Sequence, residues 1–248
     1  MTPDDLLELF EKAAIAVRGV LAPLSGPDRR ARTERRGQYA IDLVADAAAL
    51  DVLSQAPVAI VSEESGRTGH PEAEITVVVD PIDGSSNAAR DLPYWAISLC
   101  AVDSDGPLVA LVANQATGMC TTAVRGGGAW RDGRRLRAAR VKRVEDAVVA
   151  LSSLPGRMLH WKQFRALGSA ALALCDVAAG ALDGYIDGGN WHAPWDYLGG
   201  FLACQEAGAI VVDASGLPLA VTAPDSRRQL VASCTPELLE TLLTAVEV

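Results

Sequence analysis

Segment 80–87, Asp-Pro-Ile-Asp-Gly-Ser-Ser-Asn, holds two carboxylates three residues apart, directly after a short apolar run. The proline ends the strand that this run predicts, and the following turn brings Asp80, Asp83 and the Ile82 carbonyl near one point. Gly84 allows close backbone approach, so that free N–H groups face an anion as they do at a helix N-terminus. Oxygen ligands of this kind suit divalent cations. The segment therefore predicts a place where a cation and a phosphate bind together.

Two further acidic segments decide how this turn is interpreted, because Asp, Pro and Gly also form ordinary turns that bind nothing. Segment 61–66, Val-Ser-Glu-Glu-Ser-Gly, lies upstream at the end of another short apolar run. Segment 195–200, Trp-Asp-Tyr-Leu-Gly-Gly, lies far downstream and is followed by Glu-Ala-Gly at 206–208. Together these segments favour one shared site over three unrelated turns.

The three acidic segments, in this order and at these separations, resemble the signatures of the inositol monophosphatase family of metal-dependent phosphatases. Those signatures are Glu-Glu, Asp-Pro-Ile-Asp-Gly-Thr-x-Asn, and Trp-Asp-x-x-x-Gly with a trailing Glu-Ala-Gly. Segment 126–133 is similar to the family's hairpin, and segment 168–180 is similar to its buried helix. The resemblance covers nearly the whole chain, and motif matches gain weight when their context agrees.

The resemblance implies a metal site built from oxygen ligands. Glu63, Asp80 and the Ile82 carbonyl would hold a first metal, while Asp80, Asp83 and Asp196 would hold a second. Hard cations suit such ligands, so the expected cofactor is Mg²⁺, at two or three ions per subunit, with Mn²⁺ as a substitute. The carboxylates would repel one another strongly without cations between them. Li⁺ is the inhibitor that the resemblance implies.

The resemblance also assigns roles around the phosphate. Ser85, which stands where relatives have threonine, would orient a metal-activated water with Glu63, and Asp46 would lie behind them. That water would attack phosphorus in line, without a phosphoenzyme. Asp187 matches a position whose acidic residue contacts substrate hydroxyls, although the segment before Trp195 is longer here than in relatives. The substrate-binding residues implied in this way are Asp83, Gly84, Ser85, Ser86 and Asp187.

The expected function is Mg²⁺-dependent hydrolysis of a small phosphate monoester, either inositol monophosphate or a similar cyclitol or sugar phosphate. Relatives with the same metal ligands act on fructose 1,6-bisphosphate, on 3′-phosphoadenosine nucleotides or on histidinol phosphate, and these alternatives stay open. The contacts that separate the substrates lie in loops, outside the shared metal site. A non-catalytic binding or regulatory protein on the same fold is the alternative from another class, and the intact acidic residues count against it.

The elements that must position these residues follow from apolar patterning. Helices are predicted from Pro3, after Asp42, from Ser169 to Ala181, from Asp196 to Gly208, and after Thr235. Strands are predicted at 58–61, 75–79, 95–102, 108–113, 119–124, 148–151, 210–212 and 229–233. Pattern alone predicts an α/β or α+β fold, and the resemblance adds a five-layer α-β-α-β-α sandwich.

The same patterning divides the chain into two halves that share a core. Residues 1–145 form an α+β half carrying Glu63 and the Asp80 to Asp83 motif, and residues 146–248 form an α/β half carrying Asp196. No flexible linker or repeat separates them, so one continuous structural unit is expected. The resemblance further suggests a homodimer.

Composition and charge limit which binding partners and which cellular compartment are expected. The 248 residues carry a formal net charge of −9, which argues against a nucleic-acid surface. Segment 29–36 is a local exception with five arginines, interpreted either as a solvated face or as a lid whose cations help to hold phosphate. The chain shows no signal-peptide pattern and no run of about 20 apolar residues, so no membrane contact and a cytoplasmic location are expected. Five widely spread cysteines predict buried thiols in a reducing compartment.

Overall fold

The structure, a computed structural model, describes residues 1–246. The helices there are α1 Pro3–Leu21, α2 Gly26–Arg30, α3 Ala40–Leu53, α4 Ser85–Ala88, α5 Ala170–Ala178, α6 Pro194–Ala207 and α7 Pro236–Leu243, with a 3₁₀ turn at Val144–Asp146. The strands are β1 Ala59–Ser62, β2 Gly66–Gly69, β3 Thr76–Asp83, β4 Ala96–Asp103, β5 Gly106–Asn114, β6 Cys120–Val124, β7 Gly128–Arg131, β8 Arg134–Arg135, β9 Val148–Leu151, β10 Gln163–Arg165, β11 Gly184–Ile186, β12 Ile210–Asp213 and β13 Leu230–Ser233.

Two sheets alternate with helices to give the five layers that the sequence predicts. The first sheet has strand order β2-β1-β3-β4-β5-β6-β7-β8, and the second has order β10-β9-β11-β13-β12. Helices α1 and α3 cover the outer face of the first sheet, α5 and α6 lie between the sheets, and α7 covers the second. The predicted α-β-α-β-α sandwich is confirmed. The proposed division at residues 145 and 146 falls in the connection between β8 and β9 and stays a proposal.

Burial follows the apolar patterning of each layer. Leu6, Phe10 and Val17 recur at helical spacing on α1 and are fully buried against α3 and the first sheet. Helix α5 is apolar on nearly all sides because it is packed between both sheets and α6. Among residues 1–246 the five cysteines are all free thiols, four buried and Cys120 partly exposed. None of the helices in this range is long and apolar enough to cross a membrane.

Strand β3 differs from the prediction that Pro81 ends it. The strand continues to Asp83, and its register against β4 shifts between Asp80 and Asp83. A proline has no N–H to donate, so it fits where the ladder is interrupted. Pairing resumes between Asp83 and Ala96. The shift places both aspartates of the motif at one end of a central strand.

Close packing between α5 and α6 depends on Gly200. A Cβ at this position would lie 2.5 Å from the Leu174 Cβ and 3.1 Å from the Ala171 carbonyl oxygen. We expect Gly200→Ala to lower the free energy of unfolding by about 1–3 kcal/mol, because overpacking forces backbone shifts. Urea denaturation checks this value.

The matched control for that substitution is Gly19→Ala on the exposed side of α1. A Cβ there meets nothing within 4 Å. This variant should be more stable than the parent by about 0.5 kcal/mol, because glycine is a poor helix former. Equal effects of the two substitutions would contradict the role given to Gly200.

Candidate metal and phosphate site

Three aspartates converge where the first sheet meets the central helices. Oxygen atoms of Asp80 and Asp83, at the end of β3, and of Asp196, in the first turn of α6, all lie within 4.8 Å of one another. Asp80 and Asp83 are buried, and Asp196 is partly exposed. Segments that are more than 110 residues apart in the chain therefore meet at one point, as the sequence predicts.

Glu63 joins this cluster through the register of the first sheet. Strands β1 and β3 are parallel, and Ser62 pairs with Val79, so the next residues, Glu63 and Asp80, lie side by side. Burial, followed by the charges of Asp196 and Glu64, raises the pKa of Glu63 to about 8. Burial and the neighbouring Glu63 raise the pKa of Asp80 well above its usual range. The Asp80 Oδ1 also accepts the Ile82 N–H at 2.9 Å.

Asp83 is fixed by the start of α5. Its Oδ2 accepts a hydrogen bond from the Ser169 hydroxyl at 2.5 Å and another from the Ala171 N–H at 2.7 Å. Burial and the charge of Asp196 still raise the pKa of Asp83 to about 6, against the lowering effect of these bonds. The carboxylate is therefore held in place while its charge remains uncompensated.

Asp196 combines a capping role with its place in the cluster. As the third residue of α6 it accepts the Ala193 N–H at 2.6 Å, which satisfies a free donor at the helix start. Its carboxylate also lies 3.5 Å from the Nδ1 atom of His192. Burial alone would lower the pKa of His192, but the hydrogen bond and charge of Asp196 outweigh it and the pKa is raised. The His192 Nε2 is 2.6 Å from the Tyr185 hydroxyl.

The charges of this cluster fit a hard divalent cation. Among residues 1–246, no lysine or arginine forms an ion pair with Glu63, Asp80, Asp83 or Asp196. Several buried carboxylates without cationic partners are costly, as their raised pKa values indicate. All the donor atoms are oxygens, which bind cations such as Mg²⁺, Ca²⁺ and Mn²⁺. The structure thus provides the acidic cluster of a metal site.

A pocket of about 270 Å³ opens onto the cluster. Ile82, Gly84 and Ser85 line it beside the acidic residues. Gly84 has φ +94°, and a Cβ there would lie 2.9 Å from the Gly168 carbonyl oxygen, so only glycine fits. It precedes α4, in which the N–H groups of Asn87 and Ala88 donate to the Gly84 carbonyl, while those of Ser85 and Ser86 form no backbone hydrogen bond among the described residues. Ser86, by contrast, is exposed and lies outside the pocket lining, unlike the sequence-based expectation.

Asp46, expected to lie behind Glu63 and Ser85, does not line the pocket. It is buried in α3, and its carboxylate accepts hydrogen bonds from the hydroxyls of Ser62 and Ser65. Asp42, one turn earlier on the same helix, lines the pocket instead. Its Oδ2 accepts the Tyr39 N–H at 2.8 Å, and its Oδ1 is buried without a hydrogen-bond partner among the described residues. Burial raises the pKa of Asp42 to about 6.

Asp187 is also placed differently from the expectation that it contacts substrate. It is fully buried and lies outside the pocket lining. Its oxygens accept the Ser152 hydroxyl at 2.6 Å and the N–H groups of Gly189, Asn190 and Trp191 at 3.0 to 3.3 Å. These bonds close the loop that leads to α6, so Asp187 shapes the approach to Asp196 from behind the pocket.

Sequence reasoning left two other acidic residues out of the site, and the structure shows what each does. Glu64 accepts hydrogen bonds from Arg35 and Gln38 at the pocket edge. Glu206 accepts the N–H groups of Gly126 and Gly128 at 2.8 Å each. The trailing Glu-Ala-Gly motif therefore braces the glycine-rich hairpin, and it takes no part in the metal cluster.

Five alternating layers with a buried acidic cluster beside a small polar pocket are the arrangement that a metal-dependent phosphatase needs. The model of the inositol monophosphatase family matches residues 8–247, and the chain belongs to that family. It is similar to a fructose-1,6-bisphosphatase from Pyrococcus furiosus, with 33% identity over 84% of this chain and 82% of that protein. It is also similar to the Nus factor SuhB of Escherichia coli, with 32% identity over 71% of each chain. A Pyrococcus horikoshii structure, described as having similarities to inositol-1 monophosphatase, covers 100% of both chains at 26% identity and a TM-score of 0.89.

Proposed function

We propose that this protein hydrolyses small phosphate monoesters with Mg²⁺, taking an inositol monophosphate or a similar cyclitol or sugar phosphate as substrate. The observation that carries the proposal is the convergence of Asp80, Asp83 and Asp196 within 4.8 Å, at the edge of a polar pocket. The residues that line this pocket are mostly polar or charged, and no aromatic side chain among them can stack on a base. Those features favour a polyol phosphate over an adenine nucleotide.

Different residues of the site would bind the cations, bind the phosphate and orient the attacking water. Glu63, Asp80 and the Ile82 carbonyl would hold one Mg²⁺, and Asp80, Asp83 and Asp196 another. Bound Mg²⁺ supplies Lewis acidity that lowers the pKa of water and neutralises charge on phosphate oxygens. Backbone N–H groups at Gly84 and Ser85 bind phosphate oxygens, and the hydroxyl of Ser85 together with Glu63 orients the attacking water. Asp42 lines the pocket and has one carboxylate oxygen without a hydrogen-bond partner among the described residues, so it takes the place behind the water that was expected of Asp46, and we assign it the role of accepting the proton of that water.

We predict that Asp42→Asn lowers turnover by about 10²-fold, the size of effect typical for loss of a general base. The pKa of Asp42 is raised to about 6, so its ionised, proton-accepting form is lost as the pH falls through that value. The parent should therefore lose activity below about pH 6. Steady-state kinetics across pH measures both effects. The matched variant Asp46→Asn should lower the free energy of unfolding and leave turnover nearly unchanged. A large loss of turnover in Asp46→Asn with none in Asp42→Asn would return the place behind the water to Asp46.

Phosphate release from a substrate panel tests the proposed function. The panel contains inositol, hexose, 3′-phosphoadenosine and histidinol phosphates, each assayed with Mg²⁺, with Mn²⁺, and with EDTA. We expect cation-dependent release from the polyol phosphates, and inhibition when Li⁺ is added. The same panel ranks the alternatives of fructose 1,6-bisphosphate, adenosine nucleotide and histidinol phosphate. Release from no substrate would favour the non-catalytic class, for which a relative named as a factor, SuhB, gives some support.

We further propose that the protein is a cytoplasmic homodimer whose partners are small phosphorylated molecules, without nucleic acid or membrane. Support for the dimer comes from large apolar side chains on the surface of the second half, where Leu154 and Trp191 are each 73% exposed and Met158 is 51% exposed. Contact with a second copy would remove the apolar surface of these side chains from water. Light scattering coupled to size exclusion should give twice the 26.0 kDa chain mass.

A further inference from the structure

The side chain of Asn87, on α4, joins two loops that lie far apart in the chain. Its amide nitrogen donates one hydrogen bond to the Tyr94 carbonyl and another to the Leu167 carbonyl, each at 2.7 Å. Tyr94 lies in the loop before β4, and Leu167 lies in the loop before α5, 80 residues further along the chain than Asn87. Both hydrogens of this amide are therefore used to hold the two loops together.

The loop before α5 also carries the residue that fixes Asp83. Ser169, two residues after Leu167, donates its hydroxyl to the Asp83 Oδ2 at 2.5 Å. Gly168, between them, has φ +83°, and a Cβ on it would lie 3.0 Å from the Asn87 amide nitrogen. This part of the loop is packed directly against Asn87. A change in the position of the loop at Asn87 would therefore reach the Asp83 carboxylate through Ser169.

The same two loops enclose Gly84, whose backbone faces the pocket. A Cβ on Gly84 would lie 2.9 Å from the Gly168 carbonyl oxygen and 3.1 Å from the Tyr94 carbonyl oxygen, one from each loop. The loop before β4 has a second anchor, because the Tyr94 hydroxyl donates to Asp176 on α5 at 2.8 Å. The spacing that the Asn87 amide sets between the loops therefore also sets the position of the backbone at Gly84.

We propose that Asn87 is a positioning residue of the cation site and that it acts on Asp83 through the loop that carries Ser169. This inference rests on the proposed metal-dependent function and adds to it a residue that does not line the pocket. A side chain without donors would leave both carbonyls without their partner, so the loops would no longer be held together. Residues that orient the ligands of a metal contribute to its affinity without touching it.

Calorimetric titration of Mg²⁺ into the whole protein, without substrate, tests the proposal. We expect Asn87→Ala to bind Mg²⁺ about 10- to 100-fold more weakly than the parent, the range typical for loss of a residue that orients metal ligands. Ser169→Ala should also weaken binding. Because both substitutions act on the same carboxylate, the double variant should lose much less affinity than the product of the two single losses. Asn87→Ser, a smaller change, is titrated in the same way if Asn87→Ala does not fold.

The matched control is Asn114→Ala, which removes an amide of the same kind from the end of β5. The buried Asn114 donates to the Pro93 carbonyl at 3.1 Å, and its Oδ1 accepts the N–H groups of Ala116 and Thr117 at 3.0 Å each. Neither its donor nor its acceptor reaches the loop before α5. The control should therefore lower the Tm at least as much as Asn87→Ala and leave the Mg²⁺ affinity unchanged.

Three results would overturn the proposal: unchanged Mg²⁺ affinity in the folded Asn87 variant, an equal loss of affinity in Asn114→Ala, or additive losses for the substitutions at Asn87 and Ser169. Binding without substrate also separates this inference from the proposed function. If the parent releases phosphate and the Asn87 variant keeps its Mg²⁺ affinity, the inference fails alone. If the parent releases phosphate from no substrate and the Asn87 variant binds Mg²⁺ more weakly than Asn114→Ala, the phosphatase function fails and the positioning role remains.

Discussion

Asp83→Asn should lower turnover by about 10²–10⁴-fold at saturating substrate, the result of losing several kcal/mol of cation stabilisation. The Asp83 carboxylate is held through Oδ2 by Ser169 and Ala171, so its replacement by an amide of the same shape changes charge more than position. The amide keeps one oxygen that can bind a cation but carries no negative charge, so it holds a divalent cation more weakly than the carboxylate does. Phosphate release with excess Mg²⁺ measures the loss.

The control for this variant is Asp51→Asn, the same chemical change on the exposed surface of α3. Thermal unfolding of both variants shows whether Asp83→Asn remains folded, which the loss of repulsion within the cluster should favour. Turnover should be unaffected in Asp51→Asn. Unchanged turnover in folded Asp83→Asn would mean that the acidic cluster is not catalytic, and the non-catalytic alternative would then be preferred.

The residues that sequence reasoning placed well are those whose position follows from short-range rules. Asp80 and Asp83 are three residues apart at a strand end, and the residues before Glu63 form a second short strand. Once β1 and β3 pair in parallel, both acidic ends lie at the same edge of the sheet. The position of Asp196 could not be predicted from such short-range rules, because no local pattern connects α6 to that edge of the sheet. It was predicted from the resemblance to a family.

Residues placed by loops and by helix phase were harder to predict. Asp42 and Asp46 are four residues apart, so they share one face of α3, and the sequence does not show which of them reaches the pocket. The hydroxyls of Ser62 and Ser65, in a different segment, donate hydrogen bonds to Asp46 and hold it away from the pocket, so that Asp42 is the aspartate that lines the pocket. The carboxylate of Asp187 accepts hydrogen bonds from three successive backbone N–H groups of its own loop, a contact that depends on the loop conformation. The sequence of α3 therefore holds no signal that could have identified Asp42 as the acid at the pocket.

In the absence of divalent cations, we expect the free energy of unfolding of the protein to decrease as the pH rises from about 5 to 8. Burial, with like charges nearby, raises the pKa of Asp83 to about 6, that of Glu63 to about 8, and that of Asp80 well above its usual range. A carboxyl whose pKa is raised in the folded state binds its proton more tightly there than in the unfolded chain. Its contribution to stability is complete below the unfolded pKa of about 4 and disappears as the pH passes the folded value.

Mg²⁺ should reverse this dependence, because it pairs with the ionised carboxylates and has little to bind when they are protonated. At pH 8 the addition of Mg²⁺ should therefore raise the Tm by on the order of 10 °C, since the cluster costs a few kcal/mol and each kcal/mol shifts a chain of this size by about 2–4 °C. At pH 5 the shift should be small. Scanning fluorimetry in EDTA and in Mg²⁺ at both pH values measures it, and Glu63→Gln should show a shallower pH dependence in EDTA. If stability in EDTA rose with pH, or if Mg²⁺ acted equally at both values, the acidic cluster would not be the cation site, because its charge would then be compensated by the protein itself.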